Sequence, residues 1–277
     1  MSISVKLKTR LRTIKNLNSI FNALQVITLA RIQKVRGRHK NSKRYLAEIR
    51  EMADHIDLSK FSKTPKGGKT LAVLFSGNRG FCGAFNQNLR YRAQNFIKEA
   101  KTEVEFLVFG RKGLEFLRSR KQKIAKSFLE EEYDFRFFLQ LAKEIIAGYE
   151  SDEISEFHVI FNRFHSVLRQ DALTRQLMPY TADQPPITDY YILELDKELV
   201  ADKLFEQLVA ARLYFNCLDS QLGELSARMF TLKGAIENSK ELIGSLTLNL
   251  NKERQQSITQ ELLEIISSSE SLKEAKY

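Results

Sequence analysis

LFEQLVAARLYFNCLDSQLGELSARMFTLKGAI, residues 204–236, places apolar or small side chains at Leu204, Leu208, Ala211, Phe215, Leu218, Leu222, Leu225, Met229, Leu232 and Ile236. The steps alternate four and three without an error. A strict 3.5-residue repeat held over more than four heptads is the seam of a coiled coil, so this helix needs a partner helix along its length. Ile243, Leu246 and Leu250 continue the lattice. Beyond them the lattice positions fall on Glu253, Ser257 and Gln260, while the apolar stripe moves over to Ile258, Leu262 and Ile265. Something other than the first partner receives this last stretch.

The partner lies at the other end of the chain. Leu7, Leu11, Ile14, Leu17, Phe21, Leu24 and Ile27 recur at steps of three and four and make one helical stripe. The four prolines are Pro65, Pro179, Pro185 and Pro186, so neither end contains a helix breaker. Helices over about residues 3–57 and 200–273 are expected, roughly 80 and 110 Å long. Paired antiparallel with both termini at one end, they leave the C-terminal helix overhanging by roughly 30 Å. The overhang begins near residue 254, where the stripe shifts.

Between the helices the pattern changes to short β-branched and aromatic runs: LAVLF at 71–75, VEFLVF at 104–109 and FHVIF at 157–161. Helical stretches at 86–100 and 135–149 alternate with them, which predicts a mostly parallel sheet covered by helices. Further strands are expected at 172–177 and 190–195. Pro65 with Gly67 and Gly68, and the segment from Pro179 to Pro186, mark the linkers. The expected division is a helix over 1–60, an α/β domain over 69–195 and a helix over 198–277.

Charge is concentrated at one end. Residues 1–50 hold thirteen Lys/Arg against the single acid Glu48, and the remainder holds 31 basic against 33 acidic residues. A basic helix on a near-neutral body calls for an acidic partner: nucleic acid, anionic lipid or a protein loop. No stretch approaches the roughly 20 apolar residues of a membrane span, and the helical pattern starts so near Met1 that no removable leader is expected. Two cysteines, Cys82 and Cys217, and four dispersed histidines argue against a zinc site or a disulfide framework.

Two glycine motifs invite a phosphate-binding reading. GGKT at 67–70 has Lys63 where a phosphate loop requires Gly, and it precedes a strand instead of following one. SGNRGFCGAFN at 76–86 does join a strand to a helix, but its glycines, Gly77, Gly80 and Gly83, are spaced GxxGxxG, which favours a tight structural turn. Cys82 has no neighbouring His and reads as a small buried thiol. On the residues alone a structural coiled coil leads, with a nucleic-acid-binding coiled coil and an enzyme still open.

The C-terminal ENSKELIGSLTLNLNKERQQSITQELLEII resembles the signature of one family, the gamma subunits of F-type ATP synthases, whose NKxRQxxITQEL run is matched by Asn251, Lys252, Arg254, Gln255, Ile258, Thr259, Gln260, Glu261 and Leu262. ARM at 227–229, NRGFCGAFN at 78–86 and the opening helix from Arg10 are similar to the same family, so the resemblance runs from residue 6 to residue 272. Departures are Leu24 for a usual Met, Asn78 for a usual Asp, and Ser267 to Ser269 for small Gly/Ala residues.

The resemblance implies a Rossmann-like α/β domain inserted between the two halves of a long antiparallel coiled coil. It also implies a non-catalytic central-stalk rotor that couples ion-driven rotation of the c ring to conformational change at the beta subunits. The implied partners are the alpha and beta subunits, epsilon and the c ring, with no nucleic acid, cofactor or metal. The implied place is the cytoplasmic face of a bacterial inner membrane, reached only through the complex. Arg228, Gln255, Thr259 and Glu261 are expected to contact the moving loops of beta, and Ile258, Leu262 and Ile265 to lie in an apolar sleeve. Arg31, Lys34, Arg36 and Arg38 are expected to face acidic loops of beta. On this reading Arg228→Ala weakens coupling and leaves the shaft folded.

Overall fold

The structure, a computed structural model, describes residues 3–65, 67–100, 102–167, 169–181 and 196–274. Two helices frame it: α1 (Ile3–Ala53) and α5 (Lys197–Glu274). Helix α1 stops four residues short of the expectation, in a turn that leads to a short 3-10 segment at Ser59–Ser62. Between them run β1 (Lys69–Phe75), α2 (Phe85–Glu99), β2 (Val104–Phe109), α3 (Arg111–Ser119), β3 (Lys123–Phe128), α4 (Phe135–Glu150), β4 (Ile154–Phe164) and β5 (Gln170–Met178). The strand expected at 190–195 lies outside the described residues.

The chain divides into two compact units, Met1–Ile27 with Thr231–Tyr277, and Thr28–Phe230. In the first, Leu232, Ile236 and Leu246 of α5 are buried, and the Leu7, Leu11, Ile14, Phe21 and Leu24 stripe of α1 is half-buried. One polar contact interrupts this apolar seam: Ser239 Oγ donates to Asn18 Oδ1 at 2.8 Å. With antiparallel pairing and equal rise per residue, that contact sets Ile3 level with residue 254. The described part of α1 runs out where the sequence stripe shifts.

The second unit holds the sheet. Its order is β3-β2-β1-β4-β5, with β1 to β4 mutually parallel and β5 antiparallel on β4. Side chains alternate across it, as the two-residue period of a strand requires. Ala72, Leu74, Phe106, Val108 and Ile160 meet Phe85, Leu89, Ala93 and Phe96 of α2 and Leu114 and Leu117 of α3. Leu71, Val73, Phe75, Leu107, Phe109, Val159 and Phe161 face the other way, onto Phe138, Leu141 and Ile145 of α4, the α5 residues from Ala201 to Cys217, and Leu46 and Ile49 of α1. With both faces covered, the central strands carry mostly apolar runs, which makes them readable in the sequence.

Edge strand β3 and short helix α3 were not expected from the sequence. KIAKSF is mostly exposed; as an edge strand it is held by its ladder to β2 and packs only Ile124 and Phe128, so no continuous apolar run is needed. The linkers are also more than spacers. Phe61 stacks on Phe205 with centroids 3.7 Å apart, Tyr180 N donates to Phe61 O at 2.8 Å, and Tyr149 Oη donates to Lys63 O at 2.7 Å. These contacts stitch both ends of the inserted domain to the start of α5.

Candidate partner-binding surfaces

At the carboxyl ends of β1 and β2 the chain turns sharply, and α5 plugs the turn. Ser220 Oγ donates to Phe75 O at 3.0 Å; Ser76 Oγ donates to Phe109 O at 2.7 Å and accepts from Gly113 N at 2.8 Å. Gly77 donates its N–H to Asn86 Oδ1 at 3.0 Å, and a Cβ there would lie 2.8 Å from the Glu224 carboxylate. Gly83 and Gly110 adopt positive φ, as does Phe81. The glycine-rich turn is thus shaped to receive α5, with Gly77 serving the close approach of the helix and Gly83 the left-handed backbone.

Arg228 sits at the centre of this contact. Its Nε donates to Gly80 O at 3.2 Å and its Nη2 is ion-paired with Glu224. Only 10% of the Arg228 side chain and 14% of the Glu224 side chain reach solvent. Burial holds the Glu224 carboxyl above the usual carboxylate range, with Arg228 opposing that shift. Expected to reach outward to a partner's loop, Arg228 is instead turned inward, because the turn at 77–83 offers it a carbonyl and Glu224 a charge. Cys82, beside the same pair, is buried with its thiol pushed up by desolvation, which keeps it inert.

Next to this contact a cavity of about 90 Å³ is lined by Arg31, Lys34, Arg38, Arg79 and the acidic run Glu130, Glu131 and Glu132. Glu131 accepts from Arg31 Nη2 at 2.7 Å and Arg79 Nη2 at 2.5 Å; Glu132 accepts from Lys34 Nζ at 2.7 Å and Arg38 Nη1 at 3.1 Å. The Arg31 and Lys34 hydrogen bonds hold the two carboxyls below the usual range. Three of the four basic residues singled out on α1 therefore meet acids of their own chain. Arg36 is exposed and makes no ion pair among the described residues. Asn78 joins the same network: its Oδ1 accepts from Arg111 N at 2.9 Å and its Nδ2 donates to Leu129 O and Glu130 O, both at 3.4 Å. An aspartate there has no proton to give those carbonyls, which is a physical role for this departure from the family's pattern.

The remaining candidates lie on the last part of α5. From residue 254 to 268 every side chain is exposed, including Gln255, Thr259 and Glu261. Ile258, Leu262 and Ile265 are 46, 55 and 64% exposed, and Leu263 and Ile266 extend the apolar surface. The Thr259 hydroxyl donates to Gln255 O at 2.9 Å within its own helix. Large apolar side chains displayed together on a helix mark a surface that something covers. Among the described residues no helix is long and apolar enough to cross a membrane.

A family profile described as ATP synthase matches residues 4–272. ATP synthase gamma chains of Geotalea uraniireducens and Geobacter metallireducens are 34% and 33% identical over 281 residues, each alignment covering 96% of this chain and 98% of the relative. The chain belongs to the ATP synthase gamma-chain family. It is similar in fold to a chain of the Euglena gracilis mitochondrial ATP synthase in an OSCP/F1/c-ring structure, with a TM-score of 0.73 at 19% identity over 99% of this chain and 96% of that one. A chain of the Euglena rotor gives 0.67 over 92% and 98%, and one of the Tetrahymena thermophila central stalk and c-ring gives 0.60 over 78% and 99%. These gamma-chain relatives lend no support to the nucleic-acid alternative.

Proposed function

We propose that this chain is the central-stalk rotor of an F-type ATP synthase, turned by the c ring and acting on the catalytic beta subunits without a catalytic group of its own. The observation that carries this reading is the run from residue 254 to 266, which is helical, exposed at every side chain and apolar at Ile258, Leu262 and Ile265. A ring of alpha and beta subunits supplies the missing apolar cover, and Gln255, Thr259 and Glu261 meet it with polar groups. Arg31, Lys34, Arg36 and Arg38 face acidic segments of beta, while Arg228 acts from inside by fixing the turn at 77–83 against α5.

Coupling follows from symmetry. One asymmetric helix pair cannot touch three identical catalytic subunits in the same way, so each is biased toward a different conformation. The coupling free energy is the difference in contact energy between those states, and no chemistry on the shaft is needed. The α/β domain carries epsilon and rests on the c ring, which places the chain at the cytoplasmic face of a bacterial inner membrane through the complex.

Leu262→Glu with Ile265→Glu tests this. Both side chains are exposed here, so the chain should melt as the wild type does, whereas burial in a sleeve is worth about 1 kcal/mol or more apiece and the charges cannot enter it. Loss of assembly with alpha and beta subunits is expected. A variant that assembles and hydrolyses ATP at the wild-type rate would overturn the reading.

A further inference from the structure

The loop between β3 and α4 carries three consecutive carboxylates, and two of them each hold two cations. Glu131 spans Arg31 of α1 and Arg79 of the glycine-rich turn, and Glu132 spans Lys34 and Arg38 of α1. Four cations thus share two carboxylates. Positive charge is left over on a helix face that an acidic chain already covers.

The loop is fastened at its ends and lightly held in its middle. Phe128 stacks on Phe109 with centroids 4.6 Å apart, Tyr133 lies edge-on to Phe109 at 5.2 Å, and Asp134 caps α4 by accepting from Phe137 N at 2.9 Å. In between, Glu130 N donates to Tyr133 Oη within the loop itself at 2.9 Å, and the backbone reaches other elements through long amide contacts: Asn78 Nδ2 to the carbonyls of residues 129 and 130, and Gln221 Nε2 to Glu131 O, each at 3.4 Å. The Glu131 and Glu132 side chains are themselves close to half-exposed. The acidic middle can lift while the aromatic anchors and the sheet stay in place.

We infer that Glu131 and Glu132 are an internal stand-in for the acidic segment of a partner protein, occupying Arg31, Lys34, Arg38 and Arg79 until that segment displaces them. This rests on the reading in which the basic run of α1 meets acidic loops. A partner then binds with an affinity reduced by the fraction of time the loop is closed. Both carboxyls lie below the usual range, so they remain ionised near neutrality and displacement occurs by competition, without a proton switch. The device lets the basic face exchange one set of carboxylates for another without ever standing bare.

The test uses the full-length chain and a short polyglutamate peptide titrated calorimetrically at low salt. Glu131→Gln with Glu132→Gln should bind the peptide about three- to tenfold more tightly, the range expected for releasing a few partly exposed ion pairs. Asn78→Ala keeps both carboxylates and loosens the loop, and should shift affinity in the same direction. Arg31→Ala with Lys34→Ala and Arg38→Ala should weaken binding. Unchanged affinity in both loop variants, with the triple variant weakened, overturns the stand-in and leaves the docking face standing. No loss in the triple variant removes the docking face as well.

Discussion

Replacing Arg228 by Ala removes the cation that faces the nearly buried Glu224 and the donor to Gly80 O. Taking one partner from a buried ion pair costs about 3–5 kcal/mol when the remaining charge cannot escape. Glu224 has an escape, since burial already holds its carboxyl above the usual range and a proton can neutralise it. A loss of about 2–3 kcal/mol near pH 8 is therefore expected, or roughly 5–10 °C in the melting temperature of the unit that contains it. The sign of the pH dependence follows from the raised carboxyl. Stability from the protonated form is fully present below the ordinary carboxylate range and is lost as pH rises through the raised value. The loss caused by Arg228→Ala should thus shrink as pH falls toward about 5. Thermal unfolding followed by circular dichroism at the two pH values measures it, and Glu224→Gln in the Arg228→Ala background should restore most of the stability at high pH. Melting unchanged at both pH values, or no recovery on adding Glu224→Gln, refutes the argument. Loss of turnover alone, with the chain as stable as before, was the expectation from the sequence; the inward-turned side chain changes it.

Three other substitutions separate packing from contact. Gly110→Ala puts a Cβ on a residue at φ +92 and drives it into the Ser76 carbonyl, whose carbon lies 2.7 Å away, so a loss of at least about 2 kcal/mol in urea unfolding is expected. Leu222→Pro breaks α5 where Leu222 is buried against Ile32 and Leu225, costing about 3 kcal/mol or more, and should abolish co-purification with alpha and beta subunits. Gln255→Ala touches an exposed position on a formed helix, so its melting curve should match the wild type while ATP turnover of the assembled complex falls.

Periodicity made the two long helices and the point where their pairing ends readable, because an apolar seam has to repeat at helical spacing. The central strands were readable for a related reason: covered on both faces, they are apolar at most of their positions. Strand β3 was not, since an edge strand with Lys123 and Lys126 on it needs no apolar face. The destination of the α1 cations was also hidden. Glu132 lies 98 positions from Lys34, and only the sheet brings them together. Arg228 shows the same limit from the other side: it stands on the flank of the seam, between Leu225 and Met229, and nothing local in the sequence tells that the turn after β1 comes up against that flank.

The bare tip of α5 also bears on how the chain survives before assembly. An exposed helical run of this length, residues 254 to 266, is marginal in water, and it displays isoleucines and leucines while it waits. A copy synthesised in excess of the other subunits is therefore expected to be open to chaperones and proteases at that end. If the tip seats among the alpha and beta subunits as proposed, assembly covers those side chains, and supply of the chain would be matched to demand by the residues proposed to anchor it.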